Sequence, residues 1–346
     1  MNKTPDEPFE ICGTPVPRGT RKRIEIPVTK LFDYTGISVP VMVVRGKQDG
    51  PVLFVSAAIH GDEINGVEVV KRLLASRRIG KNMKGTLIAV PIVNVIGFNN
   101  NSRYLPDRRD LNRCFPGLSK GSLGGQIANT FMKEIVAKST HGIDLHTGAI
   151  HRTNLPQIRA CLDDEETNRL AHSFGVPVII NSTIRDGSLR QAAAERGIPM
   201  LLFEGGEALR YEEKVIQTGL MGILAVMESI GMIKGRERRR KSSQKETFVA
   251  RSSYWVRAPH SGSLRIRKKV GTLVKKGEIL GELSDPYGGD KILVKAQRTG
   301  IIIGKTMIPL VNNGDALFHI ATFEDSGAVE EQLEVFEENL EQEYEE

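Results

Sequence analysis

The sequence predicts an α/β fold followed by an all-β module. Three observations predict it. From Phe32 to about Gly231, short apolar runs alternate with segments of helical periodicity, the pattern of a sheet covered by helices on both faces. Three of those runs close on a side chain able to bind a metal or move a proton: His60, His146 and Glu204. Beyond Phe248 the texture changes to short strands and glycine turns without a long helix.

Taken in order, residues 1–30 read as a leader that packs late or stays loose, and 31–233 as the catalytic domain. Within it, strands are predicted at Val39–Arg45, Val52–Ile59, Thr86–Pro91, Gly142–Leu145, Gln157–Leu162, Val176–Asn181 and Met200–Phe203. Helices are predicted at Glu63–Ala75, Gly124–Ala137, Asp164–Phe174, Leu189–Arg196 and Tyr211–Ile230. In open α/β sheets ligands bind beyond the carboxyl ends of the strands, which is where His60, His146 and Glu204 fall. The polar, basic, serine-containing stretch 234–247 reads as a linker. The β module spans 248–323 and carries a weak internal repeat, in which Val256–Gly262 resembles Val294–Gly300. Residues 324–346 form an acidic tail, with Leu333, Phe336 and Leu340 at roughly helical spacing, read as a frayed helix or disorder.

The net charge of +6 hides an asymmetry, because the tail holds eleven acidic residues and no Lys or Arg. The remaining chain is strongly basic, partly through the Arg-rich linker. No aromatic residues interleave with these charges, which argues against nucleic acid as a partner and for a solvated connection or an anionic substrate. No run approaches the ~18 apolar residues of a membrane span. The stretch Met1–Glu10 lacks a signal-peptide pattern. Three widely spaced cysteines, Cys12, Cys114 and Cys161, suit reduced thiols and a cytoplasmic location.

His60 and Glu63 lie three apart at the start of a predicted helix, so both side chains can reach one point. With His146 they make the two imidazoles and one carboxylate of a zinc site that keeps a position open for water. Asp144 shares a strand face with His146 and is a candidate acceptor for its second ring N–H. Glu204, followed by Gly205-Gly206, suits a base that takes a proton from metal-activated water. The loop Ser102–Gly117 is rich in arginine. Within it, Asn112-Arg113 can clamp a carboxylate and Arg103 can stabilise an oxyanion. His141 and His151 flank the third ligand as weaker candidates, and His172, His260 and His319 show no partner pattern.

H-G-D-E at 60–63, D-L-N-R at 110–113, D-L-H-T-G at 144–148 and the strand-end Glu204 together resemble the succinylglutamate desuccinylase/aspartoacylase family of zinc hydrolases, which is related to the zinc carboxypeptidases. The resemblance covers about residues 35–230. It implies a mixed-sheet, zinc-carboxypeptidase-like catalytic domain with one zinc per chain held by His60, Glu63 and His146. It implies that Glu204 is the general base and acid, that Asn112 and Arg113 hold a substrate carboxylate, and that Arg103 and Arg159 contact substrate. Arg103 stands two residues further from D-L-N-R than aspartoacylase leads one to expect. The C-terminal module looks like a barrel-sandwich hybrid, but the turn Ser284–Lys291 lacks the signature of a biotinyl or lipoyl carrier. A cap over the site or a homo-oligomer interface is the role expected of it.

The sequence therefore points to a zinc hydrolase that cleaves an amide beside a carboxylate, first as an N-acyl amino acid deacylase. A metallocarboxypeptidase that trims acidic peptides is the alternative within the enzyme class. A zinc-holding scaffold protein without turnover is the alternative outside it.

Overall fold

The computed structural model describes residues 9–182, 186–235, 247–289 and 291–345; most of the basic linker lies outside them. A thirteen-stranded mixed sheet runs through the molecule. Before it the chain forms a separate small hairpin, β1 (Glu10–Ile11) and β2 (Thr14–Pro15), and the sheet begins with β3 (Arg21–Lys30), β4 (Gly36–Arg45), β5 (Gln48–Ala57) and β6 (Lys84–Val90). It continues with β7 (His141–Gly148), β8 (Arg152–Ala160), β9 (Val178–Asn181) and β10 (Met200–Glu207). Strands β6, β5, β7 and β10 are mutually parallel and central. Along β5, residues 53–57 are buried without interruption, the pattern of a strand covered on both faces.

Helices α1 (Asn65–Ala75), α2 (Val95–Asn99), α3 (Leu123–Glu134), α4 (Glu165–Phe174), α5 (Leu189–Ala194) and α6 (Glu213–Ser229) supply that cover. Alternation along β5 divides two cores. Leu53, Val55 and Ala57 pack with α1, α4 and α6, through Val69, Leu73, Phe174 and Ile223. Phe54 faces the other way, with Ile127 and Phe131 of α3 and Leu189 of α5.

Residues 21–30 correct the expectation of a loose leader. They form β3, antiparallel to β4, with Ile24 and Ile26 buried. Arg21, Arg23 and Glu25 alternate with them on the exposed face and mask an ordinary period-two strand. The hairpin before β3 is also tied down. Glu134 of α3 accepts hydrogen bonds from the Cys12 N–H (2.8 Å) and from Lys138 Nζ (2.8 Å).

The C-terminal module comprises β11 (Phe248–Ala250), β12 (Ser252–Arg257), β13 (Gly262–Ile266), β14 (Leu273–Val274), β15 (Ile279–Ser284), β16 (Ile292–Lys295), β17 (Gly300–Thr306), β18 (Leu310–Val311) and β19 (Ala316–Thr322). It is mostly antiparallel, and one half of it continues the main sheet because β17 pairs with β8. The repeat is expressed in reciprocal hydrogen bonds. Gly314 N–H donates to Ala258 O (2.9 Å), and Gly277 N–H to the equivalent Ala296 O (2.8 Å). The acidic tail is a helix, α7 (Ser326–Glu345). Val329, Leu333, Phe336 and Leu340 are buried, with Val329 and Leu333 packed against Ile301, Ile303 and Leu155. Apolar residues at helical spacing thus bind the helix to the module, where its charge had suggested disorder.

Burial pushes the Glu134 carboxyl up, but the Lys138 ammonium and the Cys12 N–H outweigh burial and hold it below its ordinary value. A depressed folded pKa contributes stability that is complete above the ordinary carboxylate value and is lost as pH falls through the folded value. Glu134→Gln should therefore cost about 1–2 kcal/mol at pH 7 in urea unfolding, with the difference from wild type closing in acid. A constant difference from pH 7 to acid would contradict this anchoring role.

Candidate active site

Adjacent parallel strands place the metal-ligand candidates. Register pairs Ser56 with Asp144 and Ala57 with Leu145, so the chain leaves β5 beside the end of β7. Ala58 adopts a left-handed φ of 51° and turns the chain out of β5. Gly61 is needed next: a Cβ there would lie 2.1 Å from the Gly97 carbonyl carbon. The turn closes through Glu63 N–H to His60 O (3.1 Å). A turn, and not the first turn of α1, brings the i, i+3 pair together, since that helix starts at Asn65.

His60, Glu63 and His146 are 4, 1 and 4 % exposed, and one ligand atom from each lies within 4.8 Å of the others. His60 Nδ1 is 2.8 Å from Glu63 Oε1, and His146 Nδ1 is 2.8 Å from Glu63 Oε2. The two Nδ1 atoms are 3.2 Å apart. The opposite ring nitrogens each meet a carboxylate: His60 Nε2 lies 3.0 Å from Asp110 Oδ1, and His146 Nε2 lies 2.7 Å from Asp144 Oδ2. Ser56 Oγ donates to the other Asp144 oxygen (2.7 Å). Protons on Nε2 direct both Nδ1 lone pairs to one point with the Glu63 carboxylate.

The local charge fits a divalent cation. Glu63, Asp110 and Asp144 bring three negative charges to two imidazoles, and Arg103 offsets one through Glu63 Oε1 (3.1 Å) and Asp110 Oδ2 (3.0 Å). Two charges remain for a cation. Burial pulls His60 and His146 down, but their carboxylate partners outweigh it and raise both, His146 strongly. Burial likewise opposes ionisation of Glu63 and Asp110, yet the His60 and His146 rings beside Glu63, and His60 with Arg103 beside Asp110, hold both well below the carboxylate range.

A cavity of about 510 Å³ opens beside this cluster. His60, Glu63, His146, Arg103, Asn112, Arg113, Arg159 and Glu204 all line it; Asp144 stands behind His146. Glu204 lies within β10, opposite His146, at a bulge between Glu204 and Gly206. Asn154 Nδ2 donates to its Oε2 (2.8 Å), and Arg159 Nε is 3.7 Å from Oε1. Asn112 Oδ1 accepts the Leu189 N–H at the start of α5 (2.9 Å), which fixes the residue before Arg113.

His141 and His151 lie elsewhere. His141 is at the opposite end of β7, near Thr140 and Glu166, and exposed His151 follows that strand. Sequence reasoning left Asp110, behind His60, and several cavity residues without a role. Asp110 was visible as the first letter of D-L-N-R. Arg152, Asn154, Arg190, Ser253, Trp255 and His319 also line the cavity. Of these, Trp255 and His319 come from the module and stack at 4.4 Å. Their convergence depends on β17 and β19 joining the main sheet, which one-dimensional spacing does not encode.

The catalytic-domain model described as "Succinylglutamate desuccinylase/Aspartoacylase catalytic domain" matches residues 49–230. This chain belongs to the succinylglutamate desuccinylase/aspartoacylase family. A curated relative, the N-alpha-acetyl-L-2,4-diaminobutyric acid deacetylase of Halomonas elongata, is 27% identical over 303 residues, covering 84% of this chain and 87% of the relative. Two crystal structures share the family fold at TM-scores near 0.8. One is a succinylglutamate desuccinylase/aspartoacylase from Rhodobacter sphaeroides, with TM-score 0.80, 24% identity, and 91% of this chain and 98% of that one covered. The other is the product-bound ectoine utilization protein EutE (DoeB) of Ruegeria pomeroyi, with TM-score 0.79, 23% identity, and 93% and 100% covered.

If the buried cluster is a cation site, zinc added to chelator-stripped protein raises the melting temperature at one equivalent. His146→Ala abolishes that rise. Asp144→Asn weakens zinc affinity roughly 10- to 100-fold while keeping the stoichiometry. Equal zinc stabilisation of wild type and His146→Ala would place the ion elsewhere.

Proposed function

We propose that this protein is a zinc-dependent deacylase that hydrolyses the amide of an N-acyl amino acid bearing at least one free carboxylate. The observation that carries the proposal is the convergence of His60, Glu63 and His146 on the wall of a cavity that also holds Glu204 and a group of arginines. Membership of the family and the deacetylase relative support the same reaction class.

Zinc, when bound by His60, Glu63 and His146, supplies Lewis-acid polarisation of a carbonyl and a lowered pKa for water. The chain's own residues do the rest. Glu204 accepts the proton of the attacking water and returns it to the leaving nitrogen. Asn154 holds the Glu204 carboxylate through its hydrogen bond, and Arg159, 3.7 Å away, sets a positive charge beside it. Arg103, fixed by Glu63 and Asp110, offers a positive charge to the oxyanion that develops on the carbonyl oxygen. Arg113, beside Asn112, takes the substrate carboxylate. The β module, of barrel-sandwich type by its reciprocal repeat, closes the cavity wall with Ser253, Trp255 and His319.

Cavity charge narrows the substrate. Among its described lining residues, five are arginines (Arg103, Arg113, Arg152, Arg159 and Arg190) and two are carboxylates (Glu63 and Glu204). An acidic acyl group or amino acid suits this balance better than the cationic amine of N-alpha-acetyl-2,4-diaminobutyrate.

Amine release over N-acetyl and N-succinyl amino acids, with peptides ending in Glu or Asp alongside, tests the proposal. We expect chelator-sensitive release from acidic acyl amino acids, at least about tenfold faster in kcat/KM than from acetyldiaminobutyrate (~1.4 kcal/mol). Glu204→Gln should lower kcat roughly 10²- to 10⁴-fold, and Arg113→Ala should raise KM more than it lowers kcat. Release from acidic peptides alone would make the enzyme a carboxypeptidase. Unchanged turnover by Glu204→Gln would rule out Glu204 as the base.

A further inference from the structure

We propose that the C-terminal module positions the general base, through Gly304 of β17 and Asn154 of β8; the inference rests on the reading of Glu204 as that base. Asn154 is then a positioning residue, and the module is part of the catalytic apparatus as well as a wall of the cavity.

Strand β8 changes partners along its length. Strand β10 flanks its beginning on one side, where Gly206 pairs with Asn154 and Glu207 with Thr153. On the other side its partner is β17 of the module: Gly304 opposes Asn154, Lys305 opposes Thr153, and Thr306 opposes Arg152. Further along, from Gln157 to Ala160, the second neighbour changes to β9. Only the segment that carries Asn154 depends on the module for its second partner.

Two irregularities meet there. The bulge in β10 between Glu204 and Gly206 brings the Glu204 carboxylate alongside Asn154, and bulges re-aim side chains in this way. Strand β17 has its own register shift between Ile302 and Gly304. The Asn154 side chain stands between these two strands. Its Nδ2 donates to Glu204 Oε2 at 2.8 Å, and its Oδ1 faces Gly304.

Space at Gly304 is what permits this pose. A Cβ on Gly304 would lie 2.7 Å from Asn154 Oδ1, 3.4 Å from Thr153 O and 3.5 Å from His319 Cβ. The first distance is too short for any real contact. Backbone and a packed side chain close the other directions, so the amide must turn. An asparagine has only two side-chain torsions, and turning its Oδ1 away from β17 carries Nδ2 off Glu204. Arg159, 3.7 Å from the other carboxylate oxygen, is too distant to replace the lost hydrogen bond.

Three variants test this: Gly304→Ala, Asn154→Asp and the double variant. Asn154→Asp keeps the shape of the side chain but exchanges the N–H donor for a carboxylate that repels Glu204, so the lost hydrogen bond and the repulsion both act on the base. Each single variant should lower kcat about 10- to 100-fold with KM within about twofold of wild type. The double variant should fall no further than the worse single, because both changes break one interaction. A crystal structure of Gly304→Ala should show Asn154 Nδ2 beyond hydrogen-bonding distance of Glu204. Should Gly304→Ala fail to fold, Asn154→Asp alone carries the kinetic test. Full kcat in a folded single variant, multiplying losses in the double, or a contact still at hydrogen-bond length in Gly304→Ala overturns the proposal. If wild type turns over no substrate in the panel, the deacylase reading fails with the positioning role, while the crystal structure still decides the contact.

Discussion

The whole architecture turns on two imidazoles and three carboxylates being held together out of water. Burying unpaired charge costs more than a fold of this size can absorb, so every group in the cluster has a partner. Glu63 lies between His60 and His146, Asp110 and Asp144 take the far ring nitrogens, and Arg103 joins Glu63 to Asp110. The lone pairs that remain face one another at 3.2 Å, an arrangement that a divalent cation relieves. Parallel pairing of β5 with β7 provides the rigid base. One strand delivers His60 and Glu63 through its exit turn, and its neighbour delivers Asp144 and His146 from alternate positions.

The rest of the sheet extends that base outward. Strand β10 adds Glu204 beside β7, β8 adds Asn154 and Arg159 beside β10, and the module continues the same hydrogen-bonded surface through β17 and β19. The buried His60–Glu63–His146 cluster and Glu204 therefore sit on neighbouring strands, and the outer cavity wall on the next ones. Distances within one sheet are fixed by strand spacing, which suits groups that must cooperate within a few ångströms. The module is not a loosely tethered accessory. Its apolar contacts with Leu155, Val178 and Ile180, reinforced by α7, form a common core.

Much of this was legible in the sequence, for identifiable reasons. Continuous apolar runs announced the central strands, and the side chains that closed those runs meet at one cavity, because strand ends are where open sheets gather such groups. His60, Glu63, His146 and Glu204 were visible for that reason. Strand β3 was not, because Arg21, Arg23 and Glu25 on its outer face obscured the alternation of Ile24 and Ile26. For helix α7 the spacing of Leu333, Phe336 and Leu340 left a frayed helix or disorder open, and the burial of those residues against the module, which the sequence does not encode, makes it a helix. Asn154, Trp255 and His319 carried no local signal at all. Their role arises from which strand lies beside which, and a register shift at Glu204 decides that Asn154, and not a neighbour, reaches the carboxylate.

At the centre stands a buried cluster read as a cation site whose ligands are already oriented by the carboxylates behind them. Anomalous diffraction at the zinc edge, from crystals of the purified chain, tests this most directly. One peak per chain is expected, bonded by Nδ1 of His60, Nδ1 of His146 and the carboxylate of Glu63, with both Nε2 contacts to Asp110 and Asp144 retained. A peak bound through Nε2, or zinc-soaked crystals with an empty cluster and zinc elsewhere, would contradict it.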